Sequence, residues 1–276
     1  MESHNRSGAD PELSAVAMRP VAFLHIPKCA GTAVTRALAS LFTPSEICPE
    51  WTQRLHEMPP EELARYRLVS GHFYWDLAER LPASGFVFTF LREPRERLLS
   101  LYYYFRCFPL DTEGPGRSRA MRKAKELLIR PFLMTDYLSV RNEVDNVITH
   151  RLAGLKYLDN GRLTIGDDEA VGLAVEHLGS MSAFGLVERY AESAALICRS
   201  GVNLPERLEK ANDLASLRET SGFEVVETQS IDEETEAEIQ RCTRLDQRVY
   251  EWACLEFERR SRTLTCAVDS APQGQT

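Results

Sequence analysis

The residues best suited to chemistry lie in a short loop, residues 27–33, with the sequence PKCAGTA. An apolar run typical of a buried strand precedes this loop, and a stretch of helical periodicity follows it. The first N–H groups of a helix have no partner within the helix and attract anions. Gly31 lets a ligand approach the backbone closely, Thr32 adds a hydroxyl, and Lys28 adds a positive charge. The loop therefore predicts a phosphate site, the alternative being an ordinary strand–turn–helix with one surface lysine.

The order of residues in this loop differs from that of the usual nucleotide-binding loop. That loop, G-x-x-x-x-G-K-[ST], has its lysine directly after the second glycine. Here Lys28 precedes Gly31 by three residues, and no glycine stands just before it. A P-loop kinase or NTPase, which also needs an acidic metal ligand at a strand end, is therefore the less favoured alternative.

A second pair of candidate anion ligands follows the clearest predicted strand, residues 86–91 (FVFTFL). Arg92 comes directly after this strand, and Ser100 lies about two helical turns later. Arginine offers a planar fork of donors and serine a further hydroxyl, so the two side chains can converge on one phosphate. Arg97, in the same predicted helix, is instead assigned to a structural ion pair with Glu93 at i, i+4.

The candidate general base is a histidine near the end of another predicted strand, residues 68–73 (LVSGHF). In open α/β sheets ligands bind beyond the carboxyl ends of the strands, which is where His72 is expected to lie. An unperturbed imidazole has a pKa of about 6.5, which suits base chemistry near neutrality. A hydrogen-bonded structural histidine is the alternative.

Together these segments resemble sulfotransferases that use 3′-phosphoadenosine 5′-phosphosulfate (PAPS). The loop HIPKCAGTAV is similar to the 5′-phosphosulfate loop of the carbohydrate branch related to heparan sulfate 2-O-sulfotransferases. The segments GHF, LREPRERLLSLYYY and FGLVERY are similar to further family segments in the same order. The resemblance is to a soluble, bacterial-type member. It implies a P-loop-like, three-layer α/β/α fold with a central, mainly parallel sheet in a single domain.

The resemblance also implies a role for each candidate residue. His72 would take the proton of the acceptor hydroxyl, and Lys28 would stabilise the charge that develops during sulfuryl transfer. Arg92 and Ser100 would bind the 3′-phosphate of PAPS and of its product, 3′-phosphoadenosine 5′-phosphate. The 5′ end would be held by the loop residues Lys28, Cys29, Ala30, Gly31, Thr32 and Ala33. The implied acceptor is a hydroxyl-bearing carbohydrate or small molecule, and no metal is implied.

Two further segments have open interpretations. The segment NVITHRLAG resembles the family's N-x-x-T-R-x-L-x-G, but His150 replaces the usual arginine and Arg151 follows one position later, which leaves an acceptor role undecided. Residues 117–125 (RSRAMRKAK) carry five positive charges and form either a solvated face or a mobile cationic lid.

Composition narrows the class of protein. The 276 residues are enough for one large α/β domain, and the net charge of -8 argues against nucleic-acid binding. Seven scattered cysteines without a C-x-x-C pair fit reduced thiols better than disulfides or a zinc site. No signal peptide or membrane span is predicted, so we expect a cytoplasmic protein.

The predicted domain occupies residues 19–262, between a flexible arm (residues 1–18) and a disordered tail (residues 263–276). Its last helix is expected to begin at a capping box formed by Ser230 and Glu233. A third functional alternative is a silent protein that binds the bisphosphate without turnover. The presence of both Lys28 and His72 speaks against that alternative.

Overall fold

A four-stranded parallel sheet lies at the centre of the molecule. The computed structural model describes residues 19–82, 84–109, 115–156, 163–208 and 223–269. The strands are β1 (Val21–Leu24), β2 (Leu68–Gly71), β3 (Phe86–Leu91) and β4 (Ala183–Leu186), in the spatial order β2-β1-β3-β4. Neighbouring strands all pair in parallel, and helices flank the sheet. This architecture confirms the predicted single-domain α/β fold with a central parallel sheet.

The strands are apolar on both faces, as buried parallel strands are. Every residue of β1, β2 and β4 is buried, and in β3 only Val87 is partly exposed. The polar Thr89 of β3 donates its hydroxyl to the Leu24 carbonyl oxygen at 2.7 Å, so its burial leaves no orphaned donor. The first two strands end at Leu24 and Gly71, two residues earlier than predicted, because the residues beyond them leave the sheet.

Helices occupy most of the connections between the strands. Two 3₁₀ turns, Pro44–Glu46 and Val187–Arg189, accompany them. In chain order the α-helices are α1 (Gly31–Ala39), α2 (Gln53–Glu57), α3 (Pro60–Leu63), α4 (Trp75–Ala78), α5 (Pro94–Cys107), α6 (Pro115–Glu126), α7 (Ile129–Leu133), α8 (Leu138–Val144), α9 (Val147–Ala153), α10 (Asp167–Ser180), α11 (Tyr190–Ser200) and α12 (Glu233–Asp269).

The order of the strands creates a crevice at one edge of the sheet. The chain passes from β1 to β2 on one side, and then to β3 on the other side of β1. The connections that follow β1 and β3 therefore lead in opposite directions, and ligands of such sheets bind at this switch point. Lys28 follows β1 and Arg92 follows β3, so two of the predicted anion ligands lie beside the crevice.

The last helix, α12, contributes a long apolar stripe to the core. The sequence predicts a stripe at helical spacing, and four of its members are buried while Trp252 is only half-buried. The buried members are Ile239, Cys242, Leu245 and Val249. At the start of the helix the carboxylate of Asp232, rather than Ser230, accepts a hydrogen bond from the Thr235 N–H at 2.8 Å. The helix continues to Asp269, so the predicted start of the tail at residue 263 falls within α12. The predicted arm and residues 270–276 lie outside the described residues.

Arg97 is buried in the core, and its predicted ion pair with Glu93 is wrong. The Glu93 carboxylate instead caps α5, where it accepts hydrogen bonds from the N–H groups of the first turn. The Arg97 side chain is 0% exposed. Burial raises the pKa of the nearby Asp246 carboxyl, and the positive charge of Arg97 partly offsets this effect. Asp246 in turn accepts hydrogen bonds from the Ile148 N–H at 3.1 Å and the Thr149 N–H at 2.8 Å. This buried group therefore ties the start of α9 to α12.

None of the helices in the described ranges combines the length and the apolar character needed to cross a membrane.

Candidate active site

The loop after β1 has a backbone conformation suited to binding an anion. Lys28 and Ala30 have φ angles of 68° and 58°, which L-residues other than glycine rarely adopt. Such a conformation costs about 1–2 kcal/mol per residue, and strain of this kind is concentrated at functional sites. Ala30 is the N-cap of α1, which has no side-chain cap and no acidic residue in its first turn. Successive N–H groups in left-handed and right-handed residues form a concave nest for an anion.

Gly31 is required where it stands because the ring of His25 packs against it. A Cβ atom at Gly31 would lie 1.7 Å from the imidazole of His25. The same ring stacks on Phe23, with the centroids 5.7 Å apart, and lies 4.2 Å from the ring of His72. The loop after β1 and the candidate base His72 are therefore connected through the His25 side chain, a contact that the sequence does not reveal.

His72 is held by two hydrogen bonds to backbone groups. The backbone N–H of His72 donates to the Trp51 carbonyl oxygen at 2.7 Å, and the ring Nδ1 lies 2.8 Å from the His25 carbonyl oxygen. Since a carbonyl oxygen can only accept, Nδ1 carries the proton and Nε2 of the neutral ring carries the lone pair. Gly71 permits the approach of the Trp51 segment, because a Cβ there would lie 2.5 Å from the Trp51 carbonyl oxygen. This arrangement suits a general base that acts through Nε2.

One cavity of about 800 Å³ brings most of the predicted site residues together. We call it the donor cavity, after the sulfuryl donor that the resemblance implies. Its volume lies within the range of small-molecule sites. Thr228, from the segment before α12, also lines it. The predicted residues that line it are Lys28, Ala30, Gly31, Thr32, His72, Arg92 and Ser100.

The side chains of two other predicted loop residues, Cys29 and Ala33, are buried in the core. Burial raises the pKa of the Cys29 thiol to about 12, so the thiol stays protonated and unreactive at neutral pH. The Cys29 N–H donates to the Ile26 carbonyl oxygen at 3.2 Å. The Ala33 N–H, in contrast, belongs to the first turn of α1, where the helix offers no acceptor. Ala33 can therefore serve an anion only through its backbone.

Tyr104 is a component of the donor cavity that the sequence prediction missed. The Nζ atom of Lys28 lies 4.0 Å from the centroid of the Tyr104 ring, within the range of a cation–π contact. Tyr104 lies four residues after Ser100 in α5, so both side chains project from the same face of the helix. The spacing of four residues from Ser100 could therefore have identified Tyr104 from the sequence. The neighbouring aromatic residues pack in the core: Tyr102 and Phe105 are 0% exposed and Tyr103 is also buried.

A second cavity, of about 460 Å³, meets the donor cavity at Pro27 and His72. It is lined on its other sides by Tyr74, Glu143 and Arg151, together with Thr52, His56, Glu57 and Lys156. The guanidinium carbon of Arg151 lies 4.5 Å from the centroid of the Tyr74 ring. His150, which takes the place of the family's arginine in the sequence, does not line this cavity, and burial lowers its pKa. The arginine that lines this cavity together with His72 is Arg151, one position later.

The cationic segment near residue 120 forms part of α6, whose apolar side chains pack against the protein while Arg119 and Arg122 are exposed. Ala120, Met121 and Ala124 are buried, and Lys125 pairs with Glu224 at 2.6 Å. No side chain of residues 119–126 lines either cavity. These contacts favour a packed helix with a solvated face over a mobile lid.

Among the residues with described positions, no group of three or more His, Cys, Asp and Glu side chains could hold a metal ion.

Comparison with protein families gives a match. Residues 18–126 match a family model described as a sulfotransferase family. The matched segment contains the loop after β1, His72, Arg92 and Ser100, and it supports a sulfotransferase superfamily and sulfuryl transfer as the general reaction. The match does not show a relation to the branch of the heparan sulfate 2-O-sulfotransferases. No curated protein matches the chain.

Proposed function

We propose that this protein transfers a sulfuryl group from PAPS to a hydroxyl of a carbohydrate or small molecule. The observation that carries the proposal is the convergence of three separate predictions on one cavity. The loop after β1, His72 after β2 and Arg92 with Ser100 after β3 all line the donor cavity. All of them lie in the segment that matches a sulfotransferase family.

The donor cavity fits a nucleotide that is charged at two positions of its ribose. The loop offers backbone N–H groups, the Thr32 hydroxyl and Lys28 for the 5′ phosphosulfate. Arg92 and Ser100 offer a guanidinium and a hydroxyl for the 3′-phosphate. An adenosine triphosphate, with all its phosphates at the 5′ position, would leave the second set of ligands unused.

In the proposed reaction His72 acts first, by taking the proton of the acceptor hydroxyl on Nε2. The acceptor oxygen forms a bond to sulfur while the bond between sulfur and the 5′-phosphate oxygen breaks. The electron pair of that bond moves to the phosphate oxygen. Lys28 and the N–H groups of the loop stabilise the charge that develops there, as positioned donors do in phosphoryl transfer.

Tyr104 has a supporting role in this proposal. A lysine in the left-handed region at the end of a strand has a flexible side chain, and an aromatic face restricts where its ammonium group lies. Because Tyr104 projects from the same helix as Ser100, the ammonium of Lys28 is held on the α5 side of the cavity.

The cysteines support the proposed cytoplasmic location. Cys29, Cys48, Cys107, Cys198, Cys242 and Cys254 are all free thiols. Unpaired thiols are typical of proteins in reducing compartments.

Two measurements on the purified protein test the proposed function. Calorimetry should detect 3′-phosphoadenosine 5′-phosphate with a dissociation constant in the micromolar range, and little binding of ATP. Labelled PAPS with a panel of hydroxyl acceptors should then yield labelled product. Magnesium-dependent ATP binding without bisphosphate binding would replace the proposal with a kinase or NTPase. Tight bisphosphate binding with no product from any acceptor would indicate a silent binding protein.

A further inference from the structure

We infer that Glu188 is a positioning residue for Arg92, and that recognition of the 3′-phosphate therefore depends on a contact with α12. This inference rests on the proposed function, in which Arg92 binds the 3′-phosphate of the donor. Glu188 lies in the 3₁₀ turn that follows β4, directly after Val187, which lines the donor cavity. It lies outside the segment that matches the sulfotransferase family.

The carboxylate of Glu188 connects two distant parts of the chain. Its Oε1 atom accepts a hydrogen bond from the Glu93 N–H at 2.9 Å, and its Oε2 atom accepts one from the Tyr250 hydroxyl at 2.8 Å. The parallel pairing of β3 with β4 ends two residues before each of the two glutamates. Glu188 therefore extends the contact between these strands to the peptide group that joins Arg92 to Glu93.

Carboxylates occupy the N–H groups at the start of α5. The Glu93 carboxylate caps this helix by accepting hydrogen bonds from the N–H groups of Arg95 and Glu96, at 3.2 and 2.7 Å. Pro94, the first residue of the helix, has no N–H group. The N-terminus of α1, in contrast, has no side-chain cap. A phosphate beside the start of α5 therefore depends on side chains, and the placement of Arg92 becomes decisive.

The hydrogen bond to Glu188 acts on the backbone of Arg92. The bonded peptide group joins Arg92 to Glu93 and is planar, so its orientation fixes the ψ angle of Arg92 and thereby the direction of the side chain. A displacement on the order of 1 Å can cost a positioned group much of its contribution. Arg92 lines the donor cavity, whereas Glu188 lines neither cavity. Any effect of Glu188 on a bound nucleotide must therefore pass through its neighbours.

Tyr250 holds the Glu188 carboxylate in place. Glu188 is an exposed residue, and a long exposed side chain loses conformational entropy when it is ordered. Burial, together with the hydrogen bond to Glu188, raises the pKa of Tyr250, so its hydroxyl stays protonated and donates at neutral pH. The preceding residue of α12, Val249, is 0% exposed and anchors this part of the helix in the core. A chain of contacts therefore leads from α12 to Arg92.

Two nucleotides that differ only in the 3′-phosphate test this inference by calorimetry. They are 3′-phosphoadenosine 5′-phosphate and adenosine 5′-monophosphate, and we call the ratio of their dissociation constants the 3′-phosphate preference. In the unmodified protein the bisphosphate should bind about tenfold or more tightly, as charge-assisted hydrogen bonds provide. Glu188→Ala should weaken bisphosphate binding by about three- to tenfold and change monophosphate binding by less than about twofold.

Two conservative variants separate the contacts of this carboxylate. Glu188→Gln keeps an oxygen that can accept from the Glu93 N–H, so the 3′-phosphate preference should stay within about twofold of its original value. Tyr250→Phe removes only the hydroxyl and should lower the preference by about two- to threefold. The control Glu251→Ala, at an exposed glutamate of α12 that lines neither cavity, should change neither dissociation constant.

A double variant distinguishes positioning of Arg92 from a general structural role. In protein that already carries Arg92→Ala, the further change Glu188→Ala should weaken bisphosphate binding by less than about twofold, because Glu188 acts through the Arg92 side chain. If Glu188→Ala fails to fold, Glu188→Asp supplies the same comparison, since it shortens the side chain by one methylene group and keeps the charge.

Several outcomes would overturn the inference. Equal weakening of both nucleotides by Glu188→Ala would indicate a structural role only, and an unchanged 3′-phosphate preference would remove the link to Arg92. The same loss in the Arg92→Ala background would also remove that link. A preference near one in the unmodified protein would remove the 3′-phosphate role of Arg92 and this inference with it. Product formation from labelled PAPS is measured separately, so a failure of the proposed function is distinguished from a failure of this inference alone.

Discussion

The donor cavity and the second cavity meet at His72, but they are built in different ways. The donor cavity depends on backbone conformation and mainly on residues that follow β1, β2 and β3, with Val187 and Thr228 added from later in the chain. The second cavity depends on side chains from α2, α8 and α9 and from the segment between β2 and α4, among them His56, Tyr74 and Arg151. Its charged side chains are of both signs.

The two cavities therefore differ in how readily substitutions can change the ligand that each one binds. A site made of backbone N–H groups at the end of a sheet recognises a fixed ligand such as a phosphate, and few substitutions can change it. A site made of side chains on separate helices can change its specificity one residue at a time. We therefore expect the donor of this protein to be more predictable than its acceptor.

Replacement of the residue at the junction should have the largest effect. His72→Ala should lower turnover by about 10²–10⁴-fold, the usual contribution of a general base, while bisphosphate affinity changes less than about threefold. Steady-state kinetics and calorimetry measure the two quantities. His177→Ala is a matched control, since its ring stacks on Trp75 at 4.6 Å and lines neither cavity. A variant at position 72 with normal turnover would remove the base from the mechanism.

Loss of the loop lysine should have the next largest effect. Lys28→Ala should lower turnover by about 10²–10³-fold, because the developing charge loses its positioned cation. Tyr104→Leu, which keeps the lysine and removes only the aromatic face 4.0 Å away, should cost about two- to tenfold. Equal losses from both variants would mean that the ring does more than position the lysine.

A substitution that adds one methyl group to the loop should weaken donor binding. Gly31→Ala places a Cβ in the position of the His25 ring, so the ring must move and the loop with it. We expect bisphosphate affinity to fall by about tenfold and the free energy of unfolding to fall by about 1–3 kcal/mol. Calorimetry and thermal unfolding measure these changes.

Gly172→Ala provides the control for this added methyl group. A Cβ at Gly172, in α10, meets no atom within 4 Å. The substitution should leave affinity unchanged and raise stability by about 0.5–1 kcal/mol, since alanine favours a helix interior. Undiminished bisphosphate binding by Gly31→Ala would show that the loop tolerates displacement of the His25 ring.

The smallest effect is expected from the buried thiol of the loop. Cys29→Ala should change bisphosphate affinity and turnover by less than about twofold, because the side chain lies in the core and the loop acts through its backbone. Since burial raises the pKa of Cys29 to about 12, the native thiol should also resist alkylation at pH 8, whereas the exposed Cys198 reacts. Rapid alkylation of Cys29 in the folded protein would contradict this account of the loop.

The donor cavity could be predicted from the sequence because its residues directly follow apolar strands. The positions of Lys28, Gly31, His72 and Arg92 relative to those strands place them at one edge of the sheet. The assignment of their roles to a particular ligand stays a prediction. Tyr104 was missed, although its spacing from Ser100 was a signal.

The parts that escaped prediction depend on contacts between distant segments. Arg97 was assigned to a pair with Glu93 because local spacing favours it, but packing buries its side chain near Asp246 of α12. The role of Arg151 was left undecided because it stands one position after the arginine of the resembled segment, and the helices that form its cavity are far apart in the sequence. A helical pattern gives the spacing of side chains along one helix but does not reveal which other helix covers them.

A crystal structure with 3′-phosphoadenosine 5′-phosphate bound tests the central claim most directly. The account predicts the 5′-phosphate within hydrogen-bonding distance of the N–H groups of Gly31 and Thr32, and the 3′-phosphate in contact with Arg92 and Ser100. His72 Nε2 should face the side of the 5′-phosphate from which a sulfuryl group would leave. A bisphosphate bound in the reverse orientation, or outside the donor cavity, would contradict the account.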